Sequence, residues 1–342
     1  MFHVVNLKLG KNDIHALINI DKNDKKNVLP FINTRGESKK DYLFKEFLPK
    51  WGEHQFMVDV SPIISDINTE YNIHYGLLDH NNAFQRKFDF YEKILVINKN
   101  LIPVVSILKT STMRDNVQFF LKLQNRPYQK IAFRLIDLSS NSINNLFSLL
   151  SVSSNIKSNL VILDLGSIVD NDINIIENNL SELLEQLSLF YPQIDLSIIS
   201  TSFPSQKTAN RDVWEKIPNL DLPLYFKIKN SYPNLNLIYG DYGSTNPISA
   251  IDYIPGMQII PCVTYYHDYF WYQMKTGASH EFYKYMNLAN SIIVEPFYHG
   301  TDYSWGDQCI SDIATQKRKY GNSGTWNGIR INQHITSIAR MH

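Results

Sequence analysis

The sequence predicts an α/β protein, a (β/α)8 TIM-like barrel with a C-terminal aromatic-rich extension. Eight short apolar runs rich in β-branched residues recur along the first part of the chain, and most segments between them show helical periodicity. Parallel strands that are buried on both faces need helical crossovers, so this alternation indicates a covered parallel sheet. Because such barrels often take ~250 residues, we expect the barrel in residues 1–250 and an integral extension in residues 251–342.

The elements follow in order along the chain. The predicted strands are residues 3–7, 28–32, 56–60, 101–108, 130–135, 160–165, 196–201 and 236–239. The predicted helices are residues 39–50, 82–97, 113–124, 142–152, 171–190 and 207–217, and segment 11–27 has a weaker helical pattern. An open doubly wound sheet is the alternative architecture. The barrel is favoured over it because no G-x-G-x-x-G follows the first strand and no Walker-type loop occurs.

The extension begins with an aromatic stretch, CVTYYHDYFWYQMK, and continues with predicted helices at residues 278–291, 307–320 and 331–340. Ser304 and Asp307 suit the start of the second of these helices, so a capping role is favoured over a catalytic one for Asp307. The segment 321–324 follows the basic turn 317–319 and is typical of a helix C-terminus. No Pro- or Ser-rich linker precedes the extension, which favours its integration with the barrel.

The composition excludes several classes of protein. Lys plus Arg and Asp plus Glu both number 33, so we expect no bulk coating of nucleic acid. The two cysteines are too few for a disulfide framework, which fits a reducing cytoplasm. The N-terminus lacks the order of a signal peptide, and no apolar run of ~18 residues occurs. The sequence therefore predicts a cytoplasmic protein that does not insert into a membrane.

Charged residues recur where the predicted strands end, which is where a (β/α)8 barrel carries its working face. Seven of the eight strand ends are charged and the other is Ser202; the charged ones are Lys8, Arg35, Asp59, Lys109, Arg134, Asp164 and Asp241. Charges at the ends of apolar strands lose hydration unless they pair or meet a ligand. They therefore predict either an anion-binding mouth or a ring of salt bridges that closes the barrel rim.

Within this set, Asp59, Asp164 and Asp241 are the candidate catalytic or metal-holding carboxylates, and a divalent metal is a possible cofactor. A turn after the strand is the alternative role for Asp241, since glycines flank GDYG. The candidate ligand-binding residues are Lys8, Arg35, Lys109, Arg134, Tyr265, Trp271 and Lys275. The aromatic members could stack on a base, or could simply pack a hairpin against the barrel end. No histidine spacing typical of a zinc hydrolase and no G-x-S-x-G occur.

The order of short motifs resembles the beta family of proteins, found in a satellite phage and in bacterial genomes. The resemblance is carried by LK before Gly10, VDV, IPV, FR, LDLG, TSFP, GDYG, the 265–275 aromatic stretch, GDQCI, GN with Trp326, and His334 with Thr336. It implies a role in phage–host conflict, because the phage member is encoded beside a host-killing toxin and a small regulator in a set associated with anti-phage defence. It implies no catalytic activity.

Two functions are therefore expected. The first is a component of an anti-phage defence or toxin-regulating module, which binds a neighbouring-gene toxin, a phage protein or a small anionic ligand at the barrel mouth. The second is an enzyme, a metal-assisted phosphodiesterase or other phosphate-handling hydrolase that would use Asp59, Asp164 and Asp241. Convergence of these carboxylates within metal-binding distance would favour the enzyme. Pairing of each carboxylate with its own cation would favour binding or a structural ring.

Overall fold

The computed structural model describes residues 1–108, 111–169, 171–206, 210–249 and 258–341. The strands are β1 His3–Lys8, β2 Val28–Thr34, β3 Phe56–Val60, β4 Leu101–Ile107, β5 Ile131–Leu135, β6 Asn159–Ser167, β7 Asp195–Thr201, β8 Glu215–Pro218, β9 Asn236–Asp241, β10 Cys262–His267 and β11 Phe270–Lys275. The helices are α1 Lys11–Ile18, α2 Lys22–Lys25, α3 Leu48–Trp51, α4 Ile64–Ile67, α5 Glu70–Tyr75, α6 Gln85–Ile97, α7 Met113–Gln124, α8 Ser140–Ser151, α9 Ile173–Phe190, α10 Asp221–Ser231, α11 Tyr285–Ile293, α12 Trp305–Ala314 and α13 Ser323–Ala339.

Eight parallel strands close into a barrel in the order β1-β2-β3-β4-β5-β6-β7-β9, and β9 pairs with β1 to complete the ring. This confirms the predicted (β/α)8 fold, and the closed ring excludes the open doubly wound sheet. The strands are buried along almost their whole length because helices cover the outside and side chains fill the inside. That double burial explains why the sequence shows continuous apolar runs rather than alternation.

The two faces of the barrel wall differ in what they pack against. Val4, Phe31, Met57, Ile162 and Tyr242 belong to one cluster that fills the interior. Their neighbours along the strands belong to the larger cluster between the barrel and its helices. Because side chains alternate along a strand, the phase of each strand decides whether its charged end residue points into the barrel or out toward the helices.

The main departure from the predicted elements follows β7. A helix at residues 207–217 is wrong, because the described part of this segment contains β8, which pairs antiparallel with β11. The pairing outweighs the local helical pattern, which is how tertiary context overrides propensity in strands. The helix of this unit is instead α10. Asn219 caps it by accepting hydrogen bonds from the backbone N–H groups of Asp221 and Leu222.

The C-terminal part of the chain lies against one side of the barrel. Strands β10 and β11 form a hairpin whose turn places Asp268 and Tyr269 at φ 52° and 68°, as a type I′ turn requires. Helices α11 and α12 pack with this hairpin in a second apolar cluster. Segment 321–324 begins α13 rather than ending a helix, because Asn322 and Thr325 form a capping box. Helix α13 starts eight residues earlier than predicted, and it separates the barrel from the cluster.

A membrane-spanning helix is not found in the part of the chain that the structure describes: none of its helices combines the necessary length and hydropathy.

Candidate functional site

Arg134 of β5 points into the barrel and is only 1% exposed. Its Nε and Nη2 donate to Oδ2 of Asp164 at 3.1 and 2.5 Å, and its Nη1 donates to Oδ2 of Asp59 at 3.0 Å. Nη1 also donates to Oδ1 of Asn33 at 2.9 Å and to the Val60 carbonyl at 3.0 Å. The guanidinium therefore binds two carboxylates inside the barrel. Arg134, a predicted ligand-binding residue, is thus held between the two carboxylates.

The two carboxylates have further partners of their own. Lys87 of α6 reaches Oδ1 of Asp59 at 2.8 Å, and the Ser106 hydroxyl donates to the same carboxylate. Burial alone would raise the pKa of Asp59, but Lys87 and Arg134 outweigh burial and hold the pKa below its ordinary value. Tyr242 donates to Oδ1 of Asp164 at 2.5 Å. The interior charges thus neutralise one another.

Asp241 points the other way, toward the helices outside the barrel. Its Oδ1 accepts from Nε2 of His3 at 2.8 Å and from the Gly243 N–H at 2.8 Å. Its Oδ2 accepts from Nε2 of His334 at 2.6 Å and from the Tyr239 hydroxyl at 2.9 Å. Burial alone would raise the pKa of Asp241, but the two imidazoles lower it well below its ordinary value. Asp241 therefore joins β9, β1 and α13.

The three candidate carboxylates do not meet, because Asp59 and Asp164 face inward on Arg134 while Asp241 faces outward on His3 and His334. Within the described ranges, no group of three or more His, Cys, Asp or Glu side chains is arranged to hold a metal. The three aspartates therefore do not converge as the hypothesis of a metal-assisted hydrolase requires.

The mouth of the barrel opens into a cleft of about 660 Å³ between the ends of β1 and β2 and helix α13. Two of the predicted ligand-binding residues line it. Lys8 contacts Oδ2 of Asp66 at 3.1 Å, and Nε of Arg35 contacts Oδ1 of the same carboxylate at 3.1 Å. Asp66 thus pairs with both cations of this wall of the cleft.

Arg330 of α13 lines the same cleft and was not predicted. It is 8% exposed, and its guanidinium lies 4.7 Å from the ring centre of Phe203. Its Nε is buried without a hydrogen-bond partner, and among the described residues no carboxylate forms an ion pair with it. Burial lowers the pKa of Arg330 to about 10, so the group stays charged at neutral pH. Among the described residues, Arg330 is thus a buried cation without an ion pair, and Asp13 attracts it only through a charge interaction that falls short of one.

Helix α1 begins at the same cleft, and its N-cap residue, Gly10, offers no side-chain acceptor to the first N–H groups. Asp13 in the first turn is the nearest acidic group. Burial raises the pKa of Asp13 to about 6, although Lys8 and Arg35 act in the opposite direction. At neutral pH Asp13 is therefore mostly ionised and partly offsets the positive charge of Lys8, Arg35 and Arg330, whereas below about pH 6 the helix N-terminus and these cations are left to a bound anion.

The remaining predicted site residues lie elsewhere. Tyr265 is buried and donates to Oδ1 of Asp307 at 2.6 Å, and Trp271 is buried with its Nε1 donating to the Ser244 hydroxyl at 2.7 Å. Lys275 ends β11 opposite Cys262. None of these three lines the cleft, so they pack the hairpin rather than contact a ligand there. Lys109 lies outside the described residues.

The cap interpretation of Ser304 and Asp307 matches the geometry. The Ser304 hydroxyl accepts from the Asp307 N–H at 3.0 Å and makes Ser304 the N-cap of α12. Asp307 is the third residue of that helix, and burial raises its pKa to about 6. Its carboxylate accepts hydrogen bonds from the hydroxyl groups of Ser304 and Tyr265. The bond from Tyr265, which belongs to β10, joins the hairpin to α12.

Comparisons with known proteins cover nearly the whole chain. A family model described as Beta protein matches residues 4–340, which is nearly the whole chain. Protein beta of Enterobacteria phage P4 is 26% identical over 355 aligned residues, and the alignment covers 96% of this chain and 90% of the phage protein. The match includes β1, the barrel and α13 together. The chain therefore belongs to the Beta protein family.

Proposed function

We propose that this protein is the ligand-binding component of an anti-phage defence or toxin-regulating module, and that it responds to a small anion bound at the barrel mouth. The similarity to a phage protein supports the phage association. The observation that carries the anion site is the buried guanidinium of Arg330, which lines the cleft without a carboxylate partner among the described residues. Binding of the anion in the cleft would control contact between this protein and a partner protein encoded nearby.

The energetics favour a ligand over a purely structural role for Arg330. A buried charge without a partner is unfavourable, and apolar replacements of buried charges are often neutral or stabilising. Without a bound ligand, Arg330 would therefore lower the free energy of unfolding relative to an apolar residue of similar size. Lys8 and Arg35 stand at the same cleft and add attraction for an anion.

We expect Arg330→Met to unfold at the same temperature as the wild type or higher, and to lose its response to anions. Wild-type protein should gain ~2.7 kcal/mol from an anion at a hundredfold excess over its dissociation constant, because the ligand binds only the native state. Thermal unfolding with phosphate and sulfate measures both effects. Arg126→Ala is the matched control, since Arg126 pairs with Glu92 on the surface. An unchanged anion response in Arg330→Met would contradict the site.

The same variant tests the biological part of the proposal. A strain that carries the whole module should restrict phage plating, and Arg330→Met should abolish the restriction while Arg126→Ala preserves it. Co-purification of the protein with its neighbouring gene product should change in parallel. If cells that carry Arg330→Met restrict phage plating as the wild type does, the cleft is not required for the defence function.

Anion affinity should also depend on Asp13. Because the pKa of Asp13 is about 6, its negative charge is present above that pH and opposes an incoming anion. We expect sulfate, which does not titrate in this range, to bind roughly sixfold more tightly at pH 5.5 than at pH 7.5 if it raises this pKa by about one unit. Calorimetric titration measures the affinity. Asp13→Asn should bind tightly at both pH values, and a pH dependence that persists in this variant would exclude Asp13 as its cause.

A further inference from the structure

The cleft is much larger than an inorganic anion requires. Its volume of about 660 Å³ lies within the range of pockets that hold whole small molecules, roughly 300–1,000 Å³. A phosphate or sulfate bound at Arg330 would occupy only one end of it. The residues that line the rest of the cleft therefore indicate which other chemical groups the ligand contains.

The cleft is lined by side chains of both charges. Its cations Lys8, Arg35 and Arg330 are buried or half-buried, and the N-terminus of α1, with Asp13 in its first turn, lies at the same cleft. Its other acidic side chains are Glu37, Asp41 and Glu70, and Glu37 and Glu70 are exposed. Glu37 is already paired with Lys39 and Lys40. Asp41 and Glu70 form no ion pair with a Lys or Arg in the described parts of the chain.

Asp41 and Glu70 are held by neutral donors instead. Oδ1 of Asp41 accepts from the Tyr71 hydroxyl at 3.3 Å, and Oδ2 accepts from the Tyr75 hydroxyl at 3.1 Å. Oε1 of Glu70 accepts from the Ser38 hydroxyl at 2.6 Å, and its Oε2 accepts from the Ser38 N–H. Oδ1 of Asp41 also accepts from the Phe44 N–H at 3.2 Å. An ionised carboxylate has about four acceptor positions. Both groups thus remain able to accept hydrogen bonds from hydroxyl or amino groups, and the organic part of a phosphate ester can carry such donors beyond the reach of the phosphate itself.

We propose that the ligand is a phosphate ester whose organic part carries hydroxyl or amino groups. The phosphate binds at Arg330, Lys8 and the N-terminus of α1, and the organic part donates hydrogen bonds to Asp41 and Glu70. This inference rests on the proposed anion site and adds the class of ligand. Sugar phosphates and nucleotides share this chemistry, and they differ in whether a base contributes further contacts.

The test compares inorganic phosphate, ribose 5-phosphate, AMP and unphosphorylated ribose by calorimetric titration of the full chain. Both esters should bind at least about tenfold more tightly than phosphate, the effect of one charge-assisted hydrogen bond. Ribose alone should not bind measurably. Tighter binding of AMP than of ribose 5-phosphate would identify a nucleotide site, whereas equal affinity would identify a sugar phosphate site.

Two variants separate this inference from the proposed function. Glu70→Gln should keep the affinity for phosphate and lose most of the preference for the esters, because an amide accepts fewer hydrogen bonds than a carboxylate. Arg330→Met should lose both. Glu182→Gln, on the exposed face of α9, is the matched control. Phosphate binding without a preference for esters would overturn the ligand class and leave the anion site intact. If none of the anions binds, both proposals fail.

Discussion

Arg134→Ala should lower the free energy of unfolding by about 3–5 kcal/mol, the usual effect of removing one partner from a buried ion pair. The variant leaves Asp59 and Asp164 facing each other inside the barrel without the cation that binds both. Lys87 still neutralises Asp59, so Asp164 bears most of the loss. Urea unfolding measures the change. Because the free energy of unfolding of native proteins is only about 5–15 kcal/mol, this loss would remove a large part of the stability.

Two comparisons make this result specific. Arg134→Lys keeps the charge but lacks the planar fork that spans both carboxylates, so its stability should fall between those of the wild type and Arg134→Ala. Arg126→Ala removes a surface arginine and should change the unfolding midpoint little. If Arg134→Ala were as stable as Arg126→Ala, Arg134 would not be the neutralising partner of the interior carboxylates.

Asp241→Ala should be similarly destabilising, by about 3–5 kcal/mol, because it leaves buried donors from three elements without their acceptor. His3 belongs to β1, His334 to α13, and Tyr239 to the same strand as Asp241. The loss should appear in urea unfolding at neutral pH as a large fall in the midpoint. Replacement of the exposed Asp302 by Ala is the control.

The pH dependence of this effect follows from the sign of the shift. The pKa of Asp241 is lower in the folded protein than its ordinary value of 3.8, so its stabilisation is complete above that value and is lost as the pH falls below it. The difference in stability between wild type and Asp241→Ala should therefore be largest near neutral pH and shrink below about pH 4. A difference that stayed constant down to low pH would mean that the ionised carboxylate is not the stabilising form.

The candidate site shows where prediction from sequence was adequate and where it was not. Two of the charged strand ends, Lys8 and Arg35, line the cleft, and an anion-binding role for them stays a prediction. Arg330 was not predicted because it lies between Ile329 and Ile331, in a segment whose apolar residues are typical of a buried helix. No local pattern distinguishes a buried arginine with an ion-pair partner from one without.

The barrel itself follows from the sequence because its cause is local: continuous apolar strands and periodic helices leave few ways to bury both faces of a parallel sheet. The role of each charge does not follow in this way. Asp59 and Asp241 both lie at strand ends, yet one faces Arg134 inside the barrel and the other faces His334 outside it. Apolar residues occur on both faces of most strands, so the apolar pattern alone does not show which phase points inward, and closure of the barrel and docking of α13 decide it.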